Sequence, residues 1–241
     1  MSNKRRQLSR QLHTLVQEFD ERKRNRGNSM ARMRVWKFTV ELSYFIKRFL
    51  DIVLSMIGLV LFSPIFVIAA IIIKCTSPGP ILFVQVRVGY YGRHFRFYKI
   101  RTMEVGADEK KEKLAKLNQS SDGVIFKMKN DPRITPFGAW LRKTSIDELP
   151  QLFNVLIGDM SMVGPRPPLP SEVKQYSIEE RKRLNVKPGL TCIWQVSGRS
   201  DLPFKRQVQL DKQYIQSQSL GLDLLILLRT IPAIISGKGA Y

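Results

Sequence analysis

From Ile52 to Ile73 the chain carries twenty-two residues without a single charge. As an α-helix that run is about 33 Å long at 1.5 Å per residue, which matches the hydrocarbon thickness of a bilayer and assigns part of the chain to a membrane. Ser63-Pro64 stands in its middle. There the proline removes a backbone hydrogen bond and bends the helix, and the serine hydroxyl can cap the carbonyl so freed. Basic residues flank both ends, Lys47 and Arg48 before the run and Lys74, Arg87, Arg93 and Arg96 after it. A spanning helix leaves positive charge mainly on one side. A straight span and a re-entrant helical hairpin both fit the length, and the central break with doubled basic flanks favours the hairpin, both ends on the cytoplasmic side. The chain then divides into a basic arm over 1–45, a re-entrant membrane helix over 46–75 broken at Ser63-Pro64, and a cytoplasmic domain over 76–241.

The arm is defined by charge. Residues 1–48 hold thirteen Lys or Arg against Glu18, Asp20, Glu21 and Glu41. Leu8, Leu12, Leu15, Val16 and Phe19 fall near helical spacing, so an amphipathic helix on lipid competes with plain disorder up to about residue 30. No signal-peptide pattern is present, because the apolar run starts too far in and lacks a small-residue cleavage site. The net charge of +20 calls for a polyanionic neighbour: nucleic acid, an anionic membrane surface or phosphorylated substrates. The two cysteines, Cys75 and Cys192, are too few for a disulfide framework or a zinc site.

Beyond Pro78-Gly79-Pro80, alternation over Ile81 to Val88 and Phe95 to Ile100, with Gly89 and Gly92 between, predicts a β-hairpin. Lys99 and Arg101 leave its second strand two residues apart, a spacing that puts both cations on one face where they could grip one phosphate. Ala107 to Leu117 reads as a charged surface helix, and residues 172 to 185 as another helix. In Arg142-Lys143-Thr144-Ser145-Ile146-Asp147-Glu148-Leu149-Pro150, two adjacent carboxylates follow strong cations in a segment of helix-like apolar spacing. Neighbours on a helix point about 100° apart, so one acid can act as a nucleophile while the other holds a metal; a solvated acidic turn is the competing account. Arg166, locked between Pro165 and Pro167, sits on an extended backbone suited to a fixed anion-binding group. Trp194-Gln195-Val196-Ser197-Gly198-Arg199 brings an amide and an arginine to a further polar loop. Leu220 to Ile235 is apolar but interrupted by Asp223, Arg229 and Pro232, which suits the core or a membrane surface.

Taken in order, Lys47-Arg48, Ser63-Pro64, Lys99-Ile100-Arg101-Thr102-Met103, Asp131-Pro132-Arg133-Ile134-Thr135, Asp147-Glu148, Val163-Gly164-Pro165-Arg166-Pro167 and the Trp194 to Arg199 stretch resemble the bacterial sugar transferases known as monotopic phosphoglycosyl transferases. The resemblance runs from about residue 46 to the end and is to the small catalytic-domain members. It departs at Cys192-Ile193, where relatives usually carry Gly-Leu, and at Gln218 and Gly221, where they carry tryptophan. It implies an α/β fold, mostly helical with a small β-hairpin, on the cytoplasmic face of a bacterial inner membrane, monotopic through the re-entrant hairpin and amphipathic interfacial helices. It implies transfer of a sugar 1-phosphate from a UDP-sugar to undecaprenyl phosphate, with release of UMP, at the start of surface glycan synthesis. By the same resemblance Asp147 is the nucleophile, Glu148 with Asp147 binds Mg²⁺, and Arg142 and the Pro165-Arg166-Pro167 element face phosphates. Lys99, Arg101 and Arg133 are further phosphate-binding candidates, and Gln195 and Arg199 candidates for nucleotide-sugar contacts. The expected partners are the UDP-sugar, undecaprenyl phosphate and anionic inner-leaflet lipids; a homodimer is left open. A basic membrane-tethered scaffold or nucleic-acid-binding protein is the rival reading, but it leaves Asp147-Glu148 without a role. The chain shows neither a recognition helix nor an aromatic RNA-binding strand, so nucleic acid is not an expected partner.

Overall fold

The structure, a computed structural model, describes the backbone of residues 2–114, 118, 124, 125, 128, 130–237 and 239, and their side chains apart from 2–31, 108 and 111–113. Two units emerge, Met1–Lys47 and Arg48–Tyr241. The first is helical backbone throughout its described length, part of helix α1 (Ser2–Thr76). The apolar stripe expected in the arm lies outside the residues whose side chains are described.

Over Arg32–Thr76, α1 is long and apolar enough to cross a membrane. Helical backbone continues through Ser63-Pro64, with Pro64 inside the helix. Pro64 cannot donate to the carbonyl of Val60, four residues back, and the Ser63 hydroxyl donates to that carbonyl instead, at 2.8 Å. One side of α1 carries Asp51, Ser55, Gly58, Ala69 and Ile73, all buried at helical spacing, while Val60, Leu61, Val67, Ile68 and Ile71 stand exposed.

The body of the second unit is mostly helical with two small sheets. Strands β1 (Leu82–Val88) and β2 (His94–Ile100) pair antiparallel from Leu82 opposite Ile100 to Val88 opposite His94, close to the expected hairpin. Tyr91, at φ 50°, and Gly92, at φ 79°, turn the chain between them. Helices α2 (Ala107–Leu114), α3 (Pro136–Lys143) and α4 (Gln151–Ile157) precede β3 (Ser161–Val163), which runs parallel to β4 (Gly189–Thr191). Between those strands the single helix expected over 172–185 is in pieces: α5 (Pro170–Gln175), α6 (Ile178–Arg181) and a 3₁₀ turn. Ser177 is the cause. Its hydroxyl accepts from the Glu180 N–H at 3.3 Å while the Glu180 carboxylate accepts from the Ser177 N–H at 2.7 Å, a capping box that starts a new helix. Helices α7 (Ile193–Ser197), α8 (Phe204–Ser217) and α9 (Leu220–Ser236) complete the fold. Helix α9 buries Ile226 against Val163 and Tyr214 but leaves Leu224, Leu228, Ile231 and Ile235 exposed.

Three contacts tie α1 to this body. Arg48 donates to the carbonyls of Val155 and Leu156, 2.7 Å each, and so satisfies the last turn of α4 with a cation at the end its dipole favours. Asp51, one turn on, accepts from the Met162 N–H at 2.9 Å and the Ser161 hydroxyl at 3.1 Å, on strand β3. Ala69 and Ile73 then pack with Ile100 and Leu141. Asp51→Ala would leave the buried Met162 amide and Ser161 hydroxyl without their acceptor. The expected cost is about 2 kcal/mol of stability, read as a lower unfolding midpoint of the detergent-solubilised chain, with Asp51→Asn recovering most of the loss.

Candidate functional site

Thr135 starts α3 by accepting from the Gly138 N–H at 3.0 Å, with Pro136 in the first helical position. The helix ends at Lys143, and Ser145 takes a left-handed backbone, φ 58°. A single 3₁₀ turn, Ile146–Glu148, then leads through Pro150 into α4. The two carboxylates therefore stand in a corner between helices, not on one continuous helix as their spacing suggested. What the 100° argument set apart, the corner brings to one cation. Lys99, from the end of β2, places Nζ 2.8 Å from Glu148 Oε1 and 3.2 Å from Asp147 Oδ2. Arg166 Nη1 lies 3.5 Å from the same Glu148 oxygen.

The structure separates the remaining candidates. Arg142, in the last turn of α3, donates from Nε to the Thr102 hydroxyl at 2.9 Å, and its charge acts on Asp147. Arg101 stands just past the end of β2, and its guanidinium donates to the carbonyls of Ser77 and Pro78, which fixes the chain leaving α1. Arg133 grips Asp131 through Nε at 2.9 Å and Nη2 at 2.6 Å, and reaches the Ala107 carbonyl at 3.1 Å. Both line the cleft described below, but these N–H groups are engaged by the protein itself. Arg199, at φ 52°, directs its charge at Glu148, whereas the Gln195 side-chain oxygen accepts from the Cys192 thiol at 3.1 Å. Pro165 and Pro167 position Arg166 through a backbone that packs tightly beneath it: a Cβ on Gly189 would come within 2.0 Å of the Gly164 nitrogen, so neither glycine can be replaced without moving that segment. Ser63 and Pro64 belong to the exposed middle of the apolar run in α1.

Thr102 had no assigned role in the sequence reading, although it stands inside the Lys99 to Met103 motif. Its hydroxyl holds Arg142, and its carbonyl lies so close to α3 that a Cβ on Gly138 would meet it at 2.0 Å. Only the motif itself could have drawn attention to it.

The electrostatics divide the two acids. Burial pushes the Asp147 carboxyl up, against the pull of Lys99 and with the help of neighbouring Glu148. For Glu148 burial acts in the same direction, but Lys99 and then Arg166 outweigh it and hold the group down to about 2. Glu148 is thus a permanent anion and Asp147 a more basic one. Among the described residues no three His, Cys, Asp or Glu side chains gather as a metal cage. A carboxylate pair fits Mg²⁺ all the same, since that ion commonly takes one or two carboxylates and completes its shell with water and substrate phosphates. The position of the Lys99 ammonium shows that both acids stabilise positive charge at one point.

The site opens into a cleft of about 1620 Å³. Lys99, Arg142 and Arg166 lie at its charged end, and Leu54 and Ile57 of α1 with Ile231 of α9 line its apolar side. The cleft is amphiphilic, and its apolar wall continues into the exposed face of α1.

Comparison with known proteins shows the family. A family model described as "Bacterial sugar transferase" matches residues 42–237. The Galactosyl transferase CpsE of Streptococcus agalactiae is 47% identical over 195 residues, 80% of this chain and 43% of that protein. The Exopolysaccharide production protein ExoY of Rhizobium meliloti is 40% identical over 198 residues, 81% of this chain and 88% of its own length. The Undecaprenyl-phosphate galactose phosphotransferase of Salmonella typhimurium is 43% identical over 203 residues, 83% of this chain and 42% of that protein. The chain thus spans less than half of the first and last of these and most of the second. With the family match covering most of the chain and the Asp147-Glu148 corner inside it, this protein belongs to the bacterial sugar transferase family.

Proposed function

We propose that the chain transfers a sugar 1-phosphate from a UDP-sugar to undecaprenyl phosphate at the cytoplasmic face of the inner membrane, as the first lipid-linked step of a surface glycan. The amphiphilic cleft is the observation that carries this reading. A charged floor that can take phosphates opens along apolar residues of a membrane helix, which suits a substrate made of a phosphate and a long hydrocarbon chain. The name of the Salmonella typhimurium relative, an undecaprenyl-phosphate galactose phosphotransferase, supports the same acceptor. On this reading the apolar helix enters the bilayer from the cytoplasmic side and turns back by bending at Ser63-Pro64, and anionic inner-leaflet lipids meet the basic arm.

Asp147 attacks the phosphorus next to the sugar. The bond from that phosphorus to the bridging oxygen breaks, the electron pair leaves with UMP, and an aspartyl phospho-sugar remains. The phosphate of the lipid then attacks the same phosphorus and frees the Asp147 carboxylate. One phosphoanhydride replaces another, so no separate energy source is required. Carboxylate and diphosphate repel each other, and Arg142 and Arg166 flank the acids where that repulsion must be screened. Lys99 favours the ionised form of Asp147 against the effect of burial. Bound at Asp147 and Glu148, Mg²⁺ would supply charge neutralisation of the diphosphate.

Release of UMP by the detergent-purified chain, given Mg²⁺, undecaprenyl phosphate and a panel of UDP-sugars, tests the reaction and names the sugar. Asp147→Asn is expected to lower the rate by about 10³ or more. Without lipid acceptor, radiolabelled sugar phosphate should attach to the native chain and not to this variant. UMP release that survives the loss of Asp147 would discard the covalent route.

The pH dependence follows from the direction of the shifts. Because the Asp147 carboxyl is raised above the ordinary aspartate value, the acid limb of kcat/KM should lie above the range of an exposed aspartate. Lys99→Met removes the cation that opposes burial, so the carboxyl rises further and the limb moves to higher pH. A limb that stays in place in this variant would detach Lys99 from the ionisation of Asp147.

A further inference from the structure

Arg87 reads in the sequence as one of the flanking charges of the membrane run. The structure puts it elsewhere, in the cleft beside Arg166. Pro165, Pro167 and Pro168 have no N–H to donate, so the segment carrying Arg166 is held through its carbonyls. Gly189 N–H donates to Pro165 at 2.9 Å, Val88 N–H to Pro168 at 2.9 Å, and Arg87 Nη1 to Pro167 at 3.1 Å. Two of these three donors are the last residues of β1. The Arg87 guanidinium lies over the Phe97 ring, 5.2 Å from its centroid, and its buried Nε has no hydrogen-bond partner among the described residues. Burial, and after it repulsion from Arg166, lowers its pKa to about 10, which still leaves a cation at neutral pH. Glu172 and Glu148 partly offset the repulsion between the two guanidinium groups, and Arg166 Nη1 lies 3.5 Å from Glu148 Oε1.

We propose that Arg87 is a positioning residue for anion binding: by holding the Pro167 carbonyl and repelling the Arg166 guanidinium, it sets Arg166 toward the Glu148 side of the cleft, where a diphosphate is received. On this proposal Arg87 acts through Arg166. The inference rests on one part of the reading above, that Arg166 faces phosphate, and on neither the sugar nor the lipid.

Calorimetric titration of the detergent-solubilised full chain with inorganic pyrophosphate and Mg²⁺ tests this by a double-mutant cycle. Arg87→Met should weaken pyrophosphate about tenfold, the effect of misplacing one charge-assisted contact. In an Arg166→Ala background the same change should alter affinity by less than about twofold, because the two residues act as one unit. Arg87→Lys, which keeps a cationic donor, should restore most of the affinity, a rescue that a merely structural role would not show. If Arg87→Met does not fold, Arg87→Lys in the two Arg166 backgrounds completes the cycle, with a smaller loss expected in the first and none in the second. Losses that add across the backgrounds, an unchanged affinity in Arg87→Met, or a native chain that does not bind pyrophosphate would each overturn the proposal. None of these outcomes touches the Asp147 reaction, which UMP release decides separately.

Discussion

Two adjacent carboxylates, Asp147 and Glu148, are withdrawn from water in a corner of the chain, and one ammonium, Lys99, lies against both. Like charges so close raise the cost of ionising either acid, and burial raises it again. The arrangement stands because cations arrive from separate parts of the fold: Lys99 from the end of β2, Arg142 from the last turn of α3, Arg166 from the segment after β3 and Arg199 from the turn after α7. No local stretch of sequence could assemble them. The hairpin, the α3-α4 corner and the parallel β3-β4 pair are the framework that this charge balance requires.

The same framework ties the site to the apolar helix. Ile100 follows Lys99, Leu141 precedes Arg142 and Ile146 precedes Asp147, and all three belong to the cluster that receives Ala69 and Ile73 of α1. Alternation along β2 gives one residue to each side, Lys99 to the cleft and Ile100 to the helix. Lys99, Arg142 and Asp147 are therefore each seated by an apolar neighbour in the cluster that receives α1. Arg48 and Asp51 add polar anchors at the other end of that contact, on α4 and β3, the two elements that follow the carboxylates in the chain. On the proposed reading, burial of α1 in lipid and placement of the acids at the membrane face are one structural event.

How much of this was legible in the sequence depended on the range of the interaction. The hairpin followed from period-two alternation and its glycines, and the order of motifs pointed to the family. The capping of the carbonyl that Pro64 frees was legible too, since the Ser63 hydroxyl donates to Val60 as the Ser-Pro pair suggested. The corner at Ser145 was hidden because a left-handed serine leaves no compositional mark, and the apolar spacing around it imitates a helix. Arginines were the least readable residues. Arg101, Arg133 and Arg87 are equally basic in the sequence, yet one pins the Ser77-Pro78 carbonyls, one grips Asp131, and one holds Pro167. A guanidinium offers five donors, and long-range folding decides which carbonyl or carboxylate takes them.

That division of the arginines bears on how an incoming anion is recognised. Arg133 is neutralised by Asp131 in a bidentate pair, and Arg101 is surrounded by carbonyls. Around the two acids, by contrast, Lys99, Arg142, Arg166 and Arg199 bring more positive charge than Asp147 and Glu148 can balance. On the proposed reading, a surplus held in place by the fold, in a cleft partly shielded from solvent, would attract a diphosphate before any bond changes and need no reorganisation when it arrives. On the proposed route, expulsion of the nucleotide and esterification of Asp147 remove negative charge from the site. The cations are then left in surplus again, facing the apolar wall along which a lipid phosphate would enter. The same side chains can thus serve two successive anions without moving, which is what a two-step exchange between a soluble donor and a membrane-bound acceptor demands of one cleft.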